Sequence, residues 1–404
     1  MIIFAQSKHF IAMKKVFTAF LLLACLFCCG KKTATTVDPE FVYPDDTLAL
    51  SVSEASSRMA EIAAKWKDTL SLTLENGYIK RGENTMKIWY KVYGEKPADG
   101  RSMYISMHGG GNAPASVNDQ QWENQKVLYA PAEGVYVAPR SPWNDWDLWF
   151  KNPLDDLFAD LIQAAVKEQD VNPNKVYLMG YSAGGDGVWR MGPRMADTWA
   201  AASMMAGHPG DVSLLSLRNT PFMIWCGALD SAYNRNEECA ARGLQMDTLQ
   251  MNDPAGYIHE THIVEGKEHW MDRVDTAAVA WMASHVRTPY PDKVVWCQGD
   301  RIHQYFYWIG LPDSEFANAK KFDTIVASIK DNTIALEQYP ESLGSIDFYL
   351  NDTLVNLDKP ITVTANGKVL FTGKVNRTSK MMKECLRTRG DLAYIFPSKL
   401  TVTL

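Results

Sequence analysis

The sequence predicts an α/β protein: a doubly wound, mostly parallel sheet followed by a β-rich C-terminal region. Short apolar runs at 103–107, 134–138, 175–179, 200–205, 221–226 and 258–264 alternate with stretches of helical character. Strands that are apolar throughout and separated by helices belong in a parallel sheet covered on both faces. The pattern changes after the Pro-rich hinge at 288–292. Beyond it, apolar residues alternate with period two at 294–298, 305–309, 324–329 and 361–364, with turn signals such as Asn366-Gly367 between them.

Taken in chain order, the first fifty residues carry no core pattern. Met13, Lys14 and Lys15 open a positively charged segment, and 16–24 is apolar. That run falls short of the about 20 apolar residues a membrane span needs. Cys25, Cys28 and Cys29 follow, then a polar stretch from Gly30. Residues 1–29 thus resemble a bacterial lipoprotein signal, with Cys29 carrying the lipid because the polar tether starts directly after it; Cys25 is the alternative. An ordinary secretory signal with incidental cysteines is the competing reading, and both place the mature chain outside the cytoplasm. Residues 30–50 read as a tether. An α/β domain is expected over 51–287, opening with a helix at 52–66 that carries Met59, Ile62, Ala63 and Trp66 on one face. Strands near 70–80 and 86–93 form an antiparallel edge before the parallel part begins. A β-rich domain, with one helix near 379–387, is expected over 293–404.

The most informative junction is Gly180-Tyr181-Ser182-Ala183-Gly184, directly after the strand at 175–179 and before a glycine-softened helix. A turn this sharp leaves no room for side chains two residues either side of the serine, and it lifts the hydroxyl above the end of the sheet. Serine is a weak nucleophile near neutral pH. It needs an imidazole to take its proton and a carboxylate to fix that imidazole. Asp230 follows the strand 221–226, and His269 lies on a loop after the strand 258–264 and before a helix at 271–285. The order Ser182, Asp230, His269 is the one expected after such an elbow. Alternatives stand beside each. Asp230 can be the N-cap of a helix beginning at Ser231, and His208, after the run at 200–205, can face the same pocket. His259 and His262 fall within a strand and read as structural. Upstream, His108-Gly109-Gly110-Gly111-Asn112 follows the strand 103–107, and His108 is expected to shape that loop.

These motifs together resemble the α/β-hydrolase superfamily, and within it the esterase and polyhydroxybutyrate-depolymerase-like group that includes secreted feruloyl and acetyl esterases. The likeness covers residues 85–286. It implies an α/β-hydrolase sheet, an acyl-enzyme formed on Ser182 with His269 and Asp230, and no metal or organic cofactor. It also implies an oxyanion hole from the N–H groups of Gly110, Gly111 and Ala183. The aromatic segment 143–150 departs from a generic member. Trp146 and Trp149 there can form a platform for a sugar or an aromatic acyl group, or pack as core, and His208 joins them as a candidate substrate contact.

Composition bounds the reading. The 404 residues are 46% hydrophobic and 22% charged, with a net charge of −6. These are values of a globular chain and argue against nucleic acid as a partner. No zinc-type Cys/His spacing or dinucleotide fingerprint appears. Cys226 reads as core filler; a pairing with Cys239 stays open. The aromatics Trp296, Tyr305, Tyr307 and Trp308 favour packing over glycan binding. Three functions follow: a secreted serine esterase acting on carbohydrate-linked or small esters, a prolyl-oligopeptidase-like serine peptidase, and a surface glycan-binding lipoprotein without turnover. The intact residue set weighs against the third, and the lack of β-propeller length upstream weighs against the second.

Overall fold

The computed structural model describes residues 46–404; the predicted leader, Cys29 and most of the tether lie outside them. Ser51 Oγ accepts the N–H of Glu54 while the Glu54 carboxylate accepts the N–H of Ser51, a reciprocal cap that starts α1 (Val52–Thr69). The buried face of α1, with Ala55, Ile62 and Trp66, packs on Met382, Leu386 and Ile395 from near the other end of the chain.

The main layer follows as β1 (Tyr78–Arg81), β2 (Asn84–Tyr93), β3 (Arg101–Met107), α2 (Ala115–Leu128), β4 (Gly134–Arg140), α3 (Pro153–Glu168) and β5 (Val171–Tyr181). It continues through α4 (Ala183–Arg194), β6 (Ala201–Met205), β7 (Phe222–Gly227), α5 (Arg235–Asn252), β8 (His259–Val264) and α6 (Ala277–Ala283). The eight strands form one sheet in the order β1-β2-β4-β3-β5-β6-β7-β8. The β1–β2 and β2–β4 pairs are antiparallel, and every pair from β4 onward is parallel. The expected antiparallel edge and parallel body are both present. Alternate residues of each inner strand enter different cores. Val176 and Leu178 pack with Phe222 and Ile224 on the face covered by α3 and α4. Tyr177 and Met179 pack with Met223, Trp225 and residues of α6 on the other.

Local departures have local causes. Residues 171–174, expected as a turn, are the start of β5; the ladder with β3 jumps from the Arg101–Val171 pair to the Met103–Val176 pair and absorbs the extra residues as an irregularity. The helix expected over 271–285 is only Ala277–Ala283, because Asp272 and Arg273 hold positive φ angles of 52° and 67°.

The C-terminal elements are β9 (Lys293–Cys297), β10 (Tyr305–Phe306), β11 (Ile309–Gly310), α7 (Asp313–Asn318), β12 (Thr324–Lys330), β13 (Thr333–Gln338) and β14 (Ser345–Leu350). The last are β15 (Ile361–Ala365), β16 (Lys368–Gly373), α8 (Ser379–Arg389) and β17 (Ser398–Thr403). They make two sheets, β10-β11-β14-β17 and β16-β15-β13-β12-β9. The single strand expected at 305–309 is broken by Tyr307, whose φ is 50°. Trp296, Tyr307 and Trp308 are buried, as the packing reading required.

Residues on either side of the hinge share one apolar core. Polar contacts reinforce the seam. Cys297 donates its N–H to Ser216 Oγ at 2.9 Å, the Tyr307 hydroxyl donates to Ala196 O at 3.1 Å, and Arg287 reaches both Asp391 oxygens. At its centre the buried Asp155 carboxylate pairs with Arg194 at the end of α4 and with His303 Nε2 at 2.8 Å. The described cysteines, Cys226, Cys239, Cys297 and Cys385, are all buried free thiols.

Burial by itself raises the Asp155 pKa, but the Arg194 charge and the His303 hydrogen bond hold it well below the ordinary carboxylate range. Its contribution to stability is therefore complete above the unfolded value of roughly 3.9 and is lost as pH falls below it. Asp155→Ala strands the Arg194 guanidinium in the core and is expected to cost about 3–5 kcal/mol at neutral pH. Urea unfolding measures this; a loss below about 1 kcal/mol contradicts the assignment.

Candidate active site

From β3 the chain crosses to β4 on one side and then to β5 on the other, so the ends of β3 and β5 flank a topological switch point. Crevices form there in open α/β sheets because successive connections diverge to opposite faces. Both glycine-rich motifs lie at this place, one after β3 and one after β5.

Ser182 joins β5 to α4 with φ 57° and ψ −120°. This backbone state is costly for any residue with a side chain, and it persists only where the surroundings hold it. They do so by close backbone contact. A Cβ on Gly180 would sit 2.3 Å from Gly184 O, and one on Gly184 would sit 2.1 Å from Met107 O at the end of β3. The Ser182 N–H donates to Met205 O at 2.9 Å, which ties the turn to β6 as well.

After β7, the N–H groups of Ala228 and Leu229 donate to Val264 O and Lys267 O. These bonds fold Asp230 against the loop after β8. Asp230 is not a helix cap: α5 begins at Arg235 after Asn234, which holds φ 57°. Instead Asp230 Oδ2 lies 2.7 Å from His269 Nδ1, and His269 Nε2 lies 2.9 Å from Ser182 Oγ. A carboxylate can only accept, so Nδ1 carries the proton and Nε2 is left to accept the serine hydroxyl. Arg235 donates to the other Asp230 oxygen at 3.3 Å. The Asp230 side chain is 1% exposed and that of His269 is 42% exposed, so the carboxylate is sealed while the imidazole meets solvent. Tyr181 holds the histidine loop, donating its hydroxyl to His269 O at 2.6 Å and accepting the Met271 N–H at 3.2 Å. Burial keeps that phenol protonated, raising its pKa well above the ordinary value.

The loop after β3 corrects one expectation. The Gly111 N–H donates to Asn118 Oδ1 at 2.8 Å, so it is not available to an oxyanion. Among the described residues no turn or loop hydrogen bond engages the N–H of Gly110 or of Ala183, so both can still donate to a ligand. Asn118 is the residue sequence reasoning missed. It sits on the first turn of α2 and also reaches Ala113 O and Asn144 Oδ1, fastening the glycine loop to the segment after β4. His108 shapes the same loop, as expected. Its Nδ1–H donates to Gly109 O and its Nε2 accepts the Ser141 N–H, while burial lowers its pKa to about 4 and keeps the ring neutral.

Trp149 is also corrected. It is fully buried, its indole N–H donates to His108 O at 2.7 Å, and its ring meets the His108 ring edge-on. No face is left for a substrate, and the residue is a pillar under the glycine loop. Trp146 is 63% exposed. His208 accepts the Gly210 N–H at Nδ1 and donates its own N–H to Asp186 Oδ1, while His269 occupies the place beside Ser182. His259 pairs with Asp247 and His262 stacks on Trp225. Among the described residues no group of three or more His, Cys, Asp or Glu could hold a metal ion.

No family model matches the sequence, and a sequence search of curated proteins finds no match. Among solved structures, a thermostable esterase is similar with 17% identity and a TM-score of 0.39, over 52% of this chain and 64% of that one. An acetyl xylan esterase from Aspergillus awamori is similar with 12% identity and a TM-score of 0.36, over 51% and 97%. Est1E from Butyrivibrio proteoclasticus gives 14% and 0.33, over 51% and 97%. The fold is that of an α/β-hydrolase. The strand order and the elbow after β5 carry that statement within this chain itself.

If the Met107 carbonyl closes the elbow, Gly184→Ala must displace it. The variant is expected to lose on the order of 1–3 kcal/mol of stability. Thermal unfolding followed by circular dichroism reads this, and an unchanged midpoint would show that the elbow has room.

Proposed function

We propose that the protein is an exported serine hydrolase that cleaves carboxylic esters, carbohydrate-linked or of small acyl and aryl groups, through an acyl-enzyme. The observation that carries this reading is the continuous relay Ser182 Oγ, His269 Nε2, His269 Nδ1 and Asp230 Oδ2 at hydrogen-bonding distance. Ser182 Oγ attacks the ester carbonyl as its proton passes to His269 Nε2, and the imidazolium is stabilised by Asp230. The carbonyl electron pair moves onto oxygen, where the N–H groups of Gly110 and Ala183 receive it; each such donor is worth about 2.7–4 kcal/mol in the transition state. Collapse expels the alcohol, which takes the proton from His269. A water then repeats the sequence on the acyl-serine and restores the hydroxyl. The assembled relay counts against a scaffold retained only for glycan binding, since binding alone does not require a serine held at φ 57°.

Export and lipid attachment at Cys29 belong to the same proposal and rest on the sequence of the leader. Expressed with its leader in a bacterial host, the protein is expected to partition into the detergent phase of a Triton X-114 extract, and Cys29→Ser to move it to the aqueous phase. Identical partitioning of the two would discard the anchor.

Ser182→Ala is expected to abolish p-nitrophenyl acetate hydrolysis with an unchanged circular dichroism spectrum, and His269→Ala to be comparably severe. His208→Ala should retain most of the rate. Near-wild-type activity in Ser182→Ala, or a severe His208→Ala beside a mild His269→Ala, rejects the relay. A panel of aryl, acetyl-sugar, feruloyl and prolyl-amide substrates separates ester from peptide cleavage.

A further inference from the structure

We propose that a cleft formed jointly by the segment after β4 and the C-terminal region binds a neutral sugar unit of the substrate, an inference that rests on the ester-hydrolase reading above. The cleft has a volume of about 550 Å³ and is lined by Trp146, Phe150, Arg190, Asp211, Asp300 and Lys321. Two features of it point to a sugar.

The first is an aromatic surface left open to water. The exposed Trp146 ring meets Phe150 edge-on at 5.2 Å and 68°, and the Arg190 guanidinium lies 5.1 Å over the Phe150 ring. Phe150 is thus held from two sides and props the indole. An indole propped in solvent offers an apolar face, which the C–H face of a pyranose covers while its hydroxyls stay wet.

The second is a closed ring of charges beside the indole. Arg190 pairs with Asp211 at 2.9 Å and Asp300 at 2.6 Å, and Lys321 pairs with the same two carboxylates at 2.7 and 2.5 Å. Lys151, also at the cleft, is paired with Asp145 and Asp147. Each of these cations is already neutralised. A charged ligand must break one of the pairs, whereas a hydroxyl, being donor and acceptor at once, inserts its hydrogen bonds between them. The chemistry therefore selects a neutral sugar over a uronide.

Two elements tie the cleft to the proposed site. The segment carrying Trp146 runs over the glycine loop: a Cβ on Gly111 would lie 2.8 Å from Leu148, 3.3 Å from Asp145 O and 3.5 Å from Ala183. Arg190 is on the helix that Ser182 opens, roughly 12 Å along its axis at 1.5 Å per residue. The proposal therefore requires an oligosaccharide, with its esterified unit at Ser182 and a further unit on Trp146. Asp300 and Lys321 come from beyond the hinge, so the C-terminal region supplies part of the specificity.

The test uses Ser182→Ala protein, titrated calorimetrically with cellohexaose, xylohexaose, maltohexaose and hexagalacturonate. At least one neutral oligosaccharide is expected to bind, with affinity reduced about tenfold or more by Trp146→Ala and by Lys321→Ala in that background. Both are surface side chains, and thermal unfolding verifies that each variant is folded. Binding of none of the neutral sugars, binding that neither substitution weakens, or a preference for hexagalacturonate would overturn the proposal. Hydrolysis of p-nitrophenyl acetate by the unaltered protein is read separately. Its absence removes the ester-hydrolase reading, while the titrations still decide whether the cleft holds a sugar.

Discussion

The site depends on one close approach: the carbonyl of Met107, at the end of β3, occupies the space that a side chain on Gly184 would need. This contact sets the first turn of α4 directly against the neighbouring strand. It forces the reversal between β5 and α4 into a single residue, and the residue that absorbs it is Ser182. The same approach brings Ala183 beside the glycine loop that leaves β3, within 3.5 Å of where a side chain on Gly111 would sit. The proposed nucleophile and oxyanion donors are thus positioned by close backbone packing.

The helix that starts at this elbow is held at its other end too. Arg194, in its last turn, pairs with Asp155 of α3, and His303 from beyond the hinge completes that buried cluster. Such a cluster resists disruption because removing Asp155 or Arg194 leaves the other's charge uncompensated in a medium of low dielectric, and withdrawing His303 leaves an Asp155 oxygen without its hydrogen bond. The C-terminal sheets therefore buttress the element that carries Ser182, and their apolar residues belong to the same core. The relay partners are held differently. Asp230 and His269 stand on loops, and their relation is fixed by main-chain bonds from Ala228 and Leu229 to the strand and loop of the histidine, and by the Tyr181 hydroxyl.

Much of this was legible in the sequence, and the reason differs from residue to residue. Ser182 was visible because the constraint on it is local: two glycines at fixed spacing between a strand and a helix. Asp230 and His269 were visible because parallel strands deliver their following loops to one edge, so chain order predicts spatial convergence. Asn118 was not visible. An asparagine within an ordinary helical stretch carries no mark of the loop it fastens, and its hydrogen bond to Gly111 takes up one N–H that the sequence offered to an oxyanion. Tyr181 occupies a variable place in the elbow motif, and its role arises only from the proximity of the histidine loop. Trp146 and Trp149 show the same limit most clearly. Three residues apart in one aromatic segment, one is exposed and the other supports His108 from below.

By itself the sequence determined the alternation of strand and helix, the antiparallel edge, the elbow and the order of its partners, since each follows from local sterics or from the periodicity of burial. Tertiary structure decided what depends on residues distant in sequence meeting. It chose which glycine N–H remains unbonded, which tryptophan faces water, how short α6 is, and how closely the sheets beyond the hinge join the hydrolase core. Local rules fix which conformations a segment can adopt. Only packing fixes which of its polar groups are left without a neighbour, and those are the groups available to a substrate.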